Sequence, residues 1–411
     1  MSIKKFTLPN GITVINDRRN IDTASFQFLV KTGAAYETKQ FGISHLAEHL
    51  MFKATDKRTS NQVNSEIKFT GAMSNAFTDH GYTCFFFESL AKHFETVLDV
   101  YADFLTHKNI PDNDFKKEKD VVLQEIAMYK DNDTDVNFDN AYKRIFGLRP
   151  VGGSASSVKK IKLKDVYQYI AATYIPKNIL ISVCSKFSNR KIKKLLEKHF
   201  KCIQATTRSY EDYDFHPEFR IEEKFNKAKG TTKKVKKGLN QTRLVVFVPL
   251  AKDYSIKTKL IRDILLQIFS RGLSSVLYTQ LREEMGLFYR CSADIFYETA
   301  GFKQPYLLIS TSTEPKNIKT LIRELNRVMV LLSTYITEKD VQKALNCIEM
   351  QSTKFTAYSY ADDNIANYLN HGLVKNDRYY EKIMKSITYD DVVNEAKSWG
   401  KEDFIIQMLG N

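Results

Sequence analysis

Gly42-Ile43-Ser44-His45-Leu46-Ala47-Glu48-His49-Leu50-Met51-Phe52-Lys53 is the stretch from which this chain is read. On a helix, residues i and i+4 lie on one face. His45 and His49 therefore aim two imidazoles at one point, at about the spacing that a single Zn²⁺ needs. Ser44 is placed to cap the helix. Glu48 flanks the same face, and a carboxylate beside a metal-bound water can act as general base. A hydrolytic zinc site needs a third protein ligand and one open position. The periodicity predicts a helix from Asp112 to Tyr129 that carries Glu118 and Glu125. Seven residues are two helical turns, so both acids lie on nearly the same face. Spacing alone leaves open that both are simply solvated.

Outward from this point, one layout occurs twice. In the first half a strand over Ala24–Lys31 leads to the His45 helix. A helix over Ser60–Thr70, a strand pair over Met73–Phe87 and an amphipathic helix with Leu90, Phe94, Leu98, Tyr101 and Leu105 follow. The Asp112 helix comes next. In the second half a strand over Thr242–Val248 precedes helices over Ser255–Phe269 and Ser274–Met285. Strands over Tyr289–Tyr297 and Tyr306–Thr311, a helix with Ile318, Leu321, Ile322 and Leu325 on one face, and a helix from Glu338 toward Gln351 complete it. The expected class is α+β, with two related domains, each a mainly antiparallel sheet covered by helices. The expected boundaries are 1–210, a basic linker over 211–240, and 241–411. Residues 140–205 and 360–411 are read as the closing elements of each repeat. The linker reading rests on Lys224–Gly238, which has seven lysines and no acid.

Composition narrows the classes. The chain has 411 residues, with Gly 16 and Pro 8, which excludes collagen-like and low-complexity proteins. The longest apolar run, Leu244–Ala251, is far short of the ~20 residues of a membrane span. The start reads as a strand, Lys5–Leu8, a turn at Asn10-Gly11 and a second strand, not as a signal peptide. The five scattered cysteines fit free thiols in a reducing compartment, mostly in the core. A cytoplasmic location is expected. The formal charge of +14 permits anionic partners but stands beside no nucleic-acid-binding motif, so neither nucleic acid nor membrane is expected as a partner.

The motif and its surroundings resemble the pitrilysin/insulinase family of zinc peptidases, which includes the mitochondrial processing peptidases. The family carries HxxEH on a helix and a third ligand, a Glu, about 76 residues beyond the second His. Glu125 lies 76 positions after His49, within Glu118-Lys119-Asp120-Val121-Val122-Leu123-Gln124-Glu125-Ile126. The resemblance implies that His45, His49 and Glu125 hold one Zn²⁺ per chain. It implies that Glu48 is the base, and that Glu118 orients a ligand histidine. Ser74-Asn75-Ala76-Phe77-Thr78 resembles the family's edge strand, with Asn75, Ala76 and Phe77 against the substrate backbone.

Leu281-Arg282-Glu283-Glu284-Met285-Gly286-Leu287-Phe288-Tyr289 resembles the family's Arg/Tyr pair. Arg282 and Tyr289 would bond substrate carbonyls, and Tyr289 would stabilise the oxyanion. The implied activity is zinc-dependent hydrolysis of peptides or unfolded polypeptides inside a closed chamber. Members of this size close as a clamshell of two chains, so a homodimer is implied, with Arg282 and Tyr289 serving the zinc of the other chain. Two other classes compete: a catalytically silent structural subunit of the same fold, and a basic-surface binding module. His80, beside Asp79, is read as a solvated turn residue.

Overall fold

The structure, a computed structural model, describes residues 2–204, 217–401 and 403–411. Two mainly antiparallel sheets carry the α+β fold. The first holds β1 (Ser2–Thr7), β2 (Thr13–Arg18), β3 (Thr23–Val30), β4 (Met73–Thr78), β5 (Thr83–Leu90) and β6 (Ile179–Ser185), in the order β1-β2-β6-β3-β5-β4. Only β2 and β6 run parallel in it. The second holds β7 (Thr231–Val235), β8 (Thr242–Pro249), β9 (Cys291–Phe296), β10 (Tyr306–Thr313) and β11 (Ile405–Gly410), in the order β7-β11-β8-β10-β9.

Each sheet belongs to one compact unit, and neither unit is a continuous half of the chain. The first unit comprises Met1–Met128, Arg149–Pro217 and Phe355–Asn376; the second comprises Tyr129–Leu148, Glu218–Lys354 and Asp377–Asn411. The boundaries at 210 and 241 therefore do not describe the packing, and residues 360–376 do not close the second repeat. Burial explains why. Successive side chains of a strand face opposite sides of a sheet, yet β3 is buried almost throughout. Phe26, Phe28 and Val30 pack into the core beneath the helix α1 (Ile43–Met51). Leu29 points the other way and joins Ile15, Cys84, Leu180 and Ile365. Ile365 lies on the helix Ala357–His371, which covers that second face.

Polar contacts seat the same helix. The Thr356 hydroxyl and the Ala357 amide donate to the two oxygens of buried Glu88, at 2.8 and 3.1 Å. The Asn364 amide donates to Asp17 at 3.3 Å. Strand periodicity in β3 shows where a cover is needed but not which distant helix supplies it.

The remaining helices of the first unit pack on the Phe26 face. They include α2 (Ser60–Phe69), α3 (Phe94–Thr106) and α4 (Asp112–Asp131). Phe26 stacks on Phe87 and Phe200, and Tyr101 meets Phe87 at 4.8 Å. In the second unit, α5 (Asp133–Ile145) lies on the sheet. There Arg144 donates to the Ile406 carbonyl at 2.8 Å, and Phe146 packs on Phe225, Phe247 and Tyr306.

The basic linker is also corrected. Residues 211–216 lie outside the described residues, but Pro217–Lys227 is a helix and Thr231–Val235 is β7. β7 pairs parallel with β11. Its lysines point outward from an edge strand, where charge is well tolerated. A strand paired on one side only, with solvated side chains, carries no apolar alternation to read.

Replacing Ile365 by Asp should cost about 3 kcal/mol or more, because a carboxylate is forced against Leu29 and Leu180. Hydrogen exchange should accelerate in peptides spanning β3 and β6. Unchanged exchange there would show that the helix Ala357–His371 does not cover this face.

Candidate metal centre and substrate-facing elements

α1 begins at Gly42, whose φ of +93° is left-handed, and not at Ser44. A Cβ at Gly42 would lie 2.5 Å from the Gly152 carbonyl oxygen, so both conformation and close approach demand glycine. The first turn is capped from outside the helix. Buried Glu37 accepts the amides of Gly42 and Ser44 at 2.7 and 2.8 Å. Burial pushes its carboxyl up to about 7 against those two hydrogen bonds. The Ser44 hydroxyl is occupied elsewhere, accepting from Tyr169 at 2.9 Å. The N-cap expectation fails because a longer acidic side chain reaches the same amides. Leu46, Ala47 and Leu50 bury the inner face of α1, which leaves His45 and His49 on its outer flank, toward α4.

There the three expected ligands converge. One ligand atom each from His45, His49 and Glu125 lies within 4.8 Å of the others. The two Nε2 atoms are 3.2 Å apart. Glu125 Oε2 is 3.3 Å from His49 Nε2 and 3.6 Å from His45 Nε2. Glu118 bonds His49 Nδ1 at 2.9 Å and meets the Lys53 ammonium at 2.5 Å. A carboxylate at Nδ1 holds the proton there and turns Nε2 into a lone-pair donor.

The titration behaviour agrees with this arrangement. Burial, and then the charge of His49, push His45 down to about 4, so it is neutral at pH 7. Burial opposes charge on His49 as well, but the Glu118 hydrogen bond and the neighbouring carboxylates outweigh it and raise its pKa. Burial also opposes charge on Glu118, yet the His49 and Lys53 hydrogen bonds bring it below the ordinary carboxyl range.

The site thus favours positive charge where the three donor atoms meet. Two nitrogens and one carboxylate oxygen form a zinc-type donor set. His45 Nδ1 is buried without a hydrogen-bond partner. Gly152 packs over it, and a Cβ there would lie 3.6 Å from that nitrogen. An imidazole with one orphaned nitrogen at a cost of about 1–3 kcal/mol needs a compensating bond at Nε2, which a metal supplies. The residues therefore fit a zinc ion.

Glu48 is buried and accepts from the Thr78 hydroxyl at 3.0 Å. Burial raises its pKa, with His49 and Thr78 opposing. Thr78 ends β4, which is the sheet edge and pairs only with β5 among the described residues. On this strand Asn75 is exposed and its side chain accepts its own neighbour's amide at 2.9 Å. Ala76 packs toward the α1 core, and Phe77 packs on Tyr82 and Phe86 on the opposite face. The Thr78–Glu48 contact links the edge strand to the acid directly. Sequence reading missed this contact, the Lys53–Glu118 pair and Glu37, since none follows a fixed spacing.

His80 is not a solvated turn residue. Its Nε2 donates to the Arg149 carbonyl at 2.9 Å, which ties the β4–β5 turn to the segment preceding Gly152. None of the five cysteines forms a disulfide, but only Cys84 and Cys184 are buried, so the core expectation holds for a minority.

Arg282 and Tyr289 lie in the second unit. The expected helix over Ser274–Met285 contains a π-helical segment, Tyr278–Glu283, which carries Arg282. Its guanidinium lies 4.4 Å from the Tyr278 ring centre and 5.3 Å from that of Tyr289. Tyr289 precedes β9 and is 71% exposed. Both residues line an open cavity of about 1070 Å³. Among the described residues, no helix is long and apolar enough to cross a membrane.

Two family models match consecutive stretches of the chain. Residues 12–157 match the family model "Insulinase (Peptidase family M16)", and residues 160–347 match "Peptidase M16 inactive domain". An uncharacterized zinc protease of Rickettsia felis is 25% identical over 399 residues, covering 95% of this chain and 93% of that protein. Subunit 1 of the mitochondrial cytochrome b-c1 complex of Bos taurus is 28% identical over 207 residues, covering 48% and 42%. A solved protease structure from Helicobacter pylori matches with a TM-score of 0.84 at 20% identity, over 99% of both chains.

Zinc titration against a competing chelator should show Glu118→Ala weakening the metal by about 10- to 100-fold, the usual effect of removing the group that orients a ligand histidine. Wild-type affinity in that variant would mean that His49 is oriented without it.

Proposed function

The chain belongs to the insulinase (M16) peptidase family, and on that premise we propose that it is a zinc-dependent endopeptidase acting on peptides or unfolded polypeptides inside a closed chamber. The observation that carries this reading is the convergence of His45, His49 and Glu125, with Glu48 buried on the same helix. His45, His49 and Glu125 would hold one Zn²⁺ per chain. When bound, zinc supplies a Lewis acid that acidifies water and polarises a carbonyl oxygen.

Glu48 takes the proton from the attacking water and returns it to the leaving amine. Its raised pKa suits both directions, because a carboxyl that takes up a proton more readily can also hand it on. Thr78 orients the Glu48 carboxylate. The exposed edge of β4, through Asn75, Ala76 and Phe77, pairs with substrate backbone, so main-chain hydrogen bonds hold the peptide beside Glu48. Arg282 and Tyr289 donate to substrate carbonyl oxygens, and the Tyr289 hydroxyl stabilises the oxyanion as it forms. The active form is proposed to be a homodimer in which this pair serves the metal site of the other chain.

The relative in the cytochrome b-c1 complex keeps a second reading in view, a structural subunit without activity. Purified protein should carry about one zinc per chain, removable by chelation with loss of hydrolysis. Absence of both zinc and hydrolysis would favour the structural reading.

With an unstructured quenched-fluorescent peptide, Glu48→Gln should keep zinc and lose at least about 100-fold in kcat, the lower range for a general base. Near-normal turnover would remove Glu48 from the reaction. The dimer is tested by mixing two inactive variants, Glu48→Gln and Tyr289→Phe. If the pair acts across the dimer, each mixed dimer keeps one intact site and activity returns. If it acts within one chain, mixing restores nothing.

A further inference from the structure

The open cavity beside Arg282 and Tyr289 is strongly one-signed. Arg243, Arg282 and Arg290 line it, and among the described residues that line it there is no aspartate or glutamate. Arg282 has a weak carboxylate neighbour, Glu283 at 4.0 Å. Arg243 and Arg290 make no ion pair with any described residue. Arg58, Arg262 and Arg327, by contrast, sit on carboxylates, and Arg144 is met by backbone carbonyls.

Arg243 projects from β8, inside the sheet. Its Nε is buried with no hydrogen-bond partner. Its terminal nitrogen has one long bond, 3.4 Å, to the Gln241 side-chain oxygen, which already accepts from the Ser312 hydroxyl at 2.7 Å. A guanidinium carries five donors and cannot shed its proton. Leaving a donor unmet costs free energy, and a hydrogen-bond acceptor entering the cavity, from ligand or water, would meet the guanidinium's outward-facing nitrogens. Arg290 immediately follows Tyr289 and is exposed at the rim.

The geometry points to a carboxylate subsite in this cavity: Arg243 and Arg290 bind a carboxylate of the substrate peptide, beside the place where Arg282 and Tyr289 hold its backbone. Arginine is suited to this, since its planar fork matches a carboxylate bidentately. The inference rests on the proposed peptidase reading and gives it a substrate class, peptides with an acidic side chain or a free C-terminal carboxylate.

The test uses matched quenched-fluorescent peptides. One series moves a single Glu or Gln through the positions flanking the cut, and another carries a free or amidated C-terminus. Wild type should show about tenfold higher kcat/KM, through KM, for the carboxylate-bearing member at a defined position, the scale of one charge-assisted bidentate contact. The series that responds identifies the source of the carboxylate. Arg243→Gln and Arg290→Gln should each reduce the ratio, and the double variant should bring it to about one. Because both peptides meet the same enzyme preparation, the ratio is insensitive to partial unfolding. Arg290→Glu, at the exposed rim, should shift preference toward Lys at that position. Equal kcat/KM for all matched pairs in wild type, or an unchanged ratio in the variants, overturns the subsite.

Binding separates this from the peptidase reading. Fluorescence anisotropy with Glu48→Gln protein should show about tenfold tighter binding of the carboxylate-bearing peptide. If that preference is present and is lost in an added Arg243→Gln, while wild type cleaves nothing, the subsite stands and the peptidase reading falls. If wild type cleaves all peptides but binding shows no charge preference, the reverse holds.

Discussion

Three electron-pair donors aimed at one point repel each other unless positive charge lies between them. His45 Nε2, His49 Nε2 and Glu125 Oε2 are in that position, all within 3.6 Å of one another. A proton on one imidazole relieves part of the repulsion, and His49, whose pKa the Glu118 hydrogen bond and the neighbouring carboxylates raise against burial, is the one placed to carry it. A dication relieves all of it. The rest of the first unit serves to keep these atoms from moving apart. Glu118 fixes the tautomer of His49 and is itself fixed by Lys53.

Rigidity comes from how α1 is seated. Its inner face is buried against the sheet, and its start is held by Glu37 through two amides. The Gly152 segment closes over its first turn and, through Arg149, is tied to the His80 turn at the end of β4. The edge strand, the helix and the covering loop therefore form one connected framework. The β4–β5 turn is thereby joined to the segment that packs on His45. Burial of the second sheet face by the helix Ala357–His371 adds constraint from the opposite side, since β3 and β5 then have no solvated face on which to shift.

The legible part of this molecule was the part with a period. His45 and His49 share a helical face and Glu118 precedes Glu125 by two turns, so their placement follows from helix geometry once both helices are recognised. The resemblance added which helices meet. Sheet strands with apolar alternation were found within a few residues of their observed ends. What had no period was not legible. β7 is held by backbone pairing and by lysine hydrogen bonds to Asn140 and Asn411, and its lysines disguised it as a linker. The helix Ala357–His371 follows the second-unit elements in sequence and packs with the first unit, because coverage of β3 depends on surface shape and not on chain order. The π-helical segment at Arg282 keeps the apolar pattern of an ordinary helix while changing the direction in which its residues point.

The two units carry the same kind of unmet demand with opposite sign. Around α1, Glu48, Glu118 and Glu125 stand against one lysine, and the local balance asks for a cation. In the second unit Arg243, Arg282 and Arg290 face a cavity without an acid among its described lining residues, and the balance asks for an anion. Neither demand contributes to stability, since a buried charge or donor without its partner is a cost that a well-packed apolar residue would avoid. Features that lower stability are best explained by what they bind. On that argument the two units differ by charge: the first gathers imidazoles and carboxylates around one point, and the second lines a cavity with arginines.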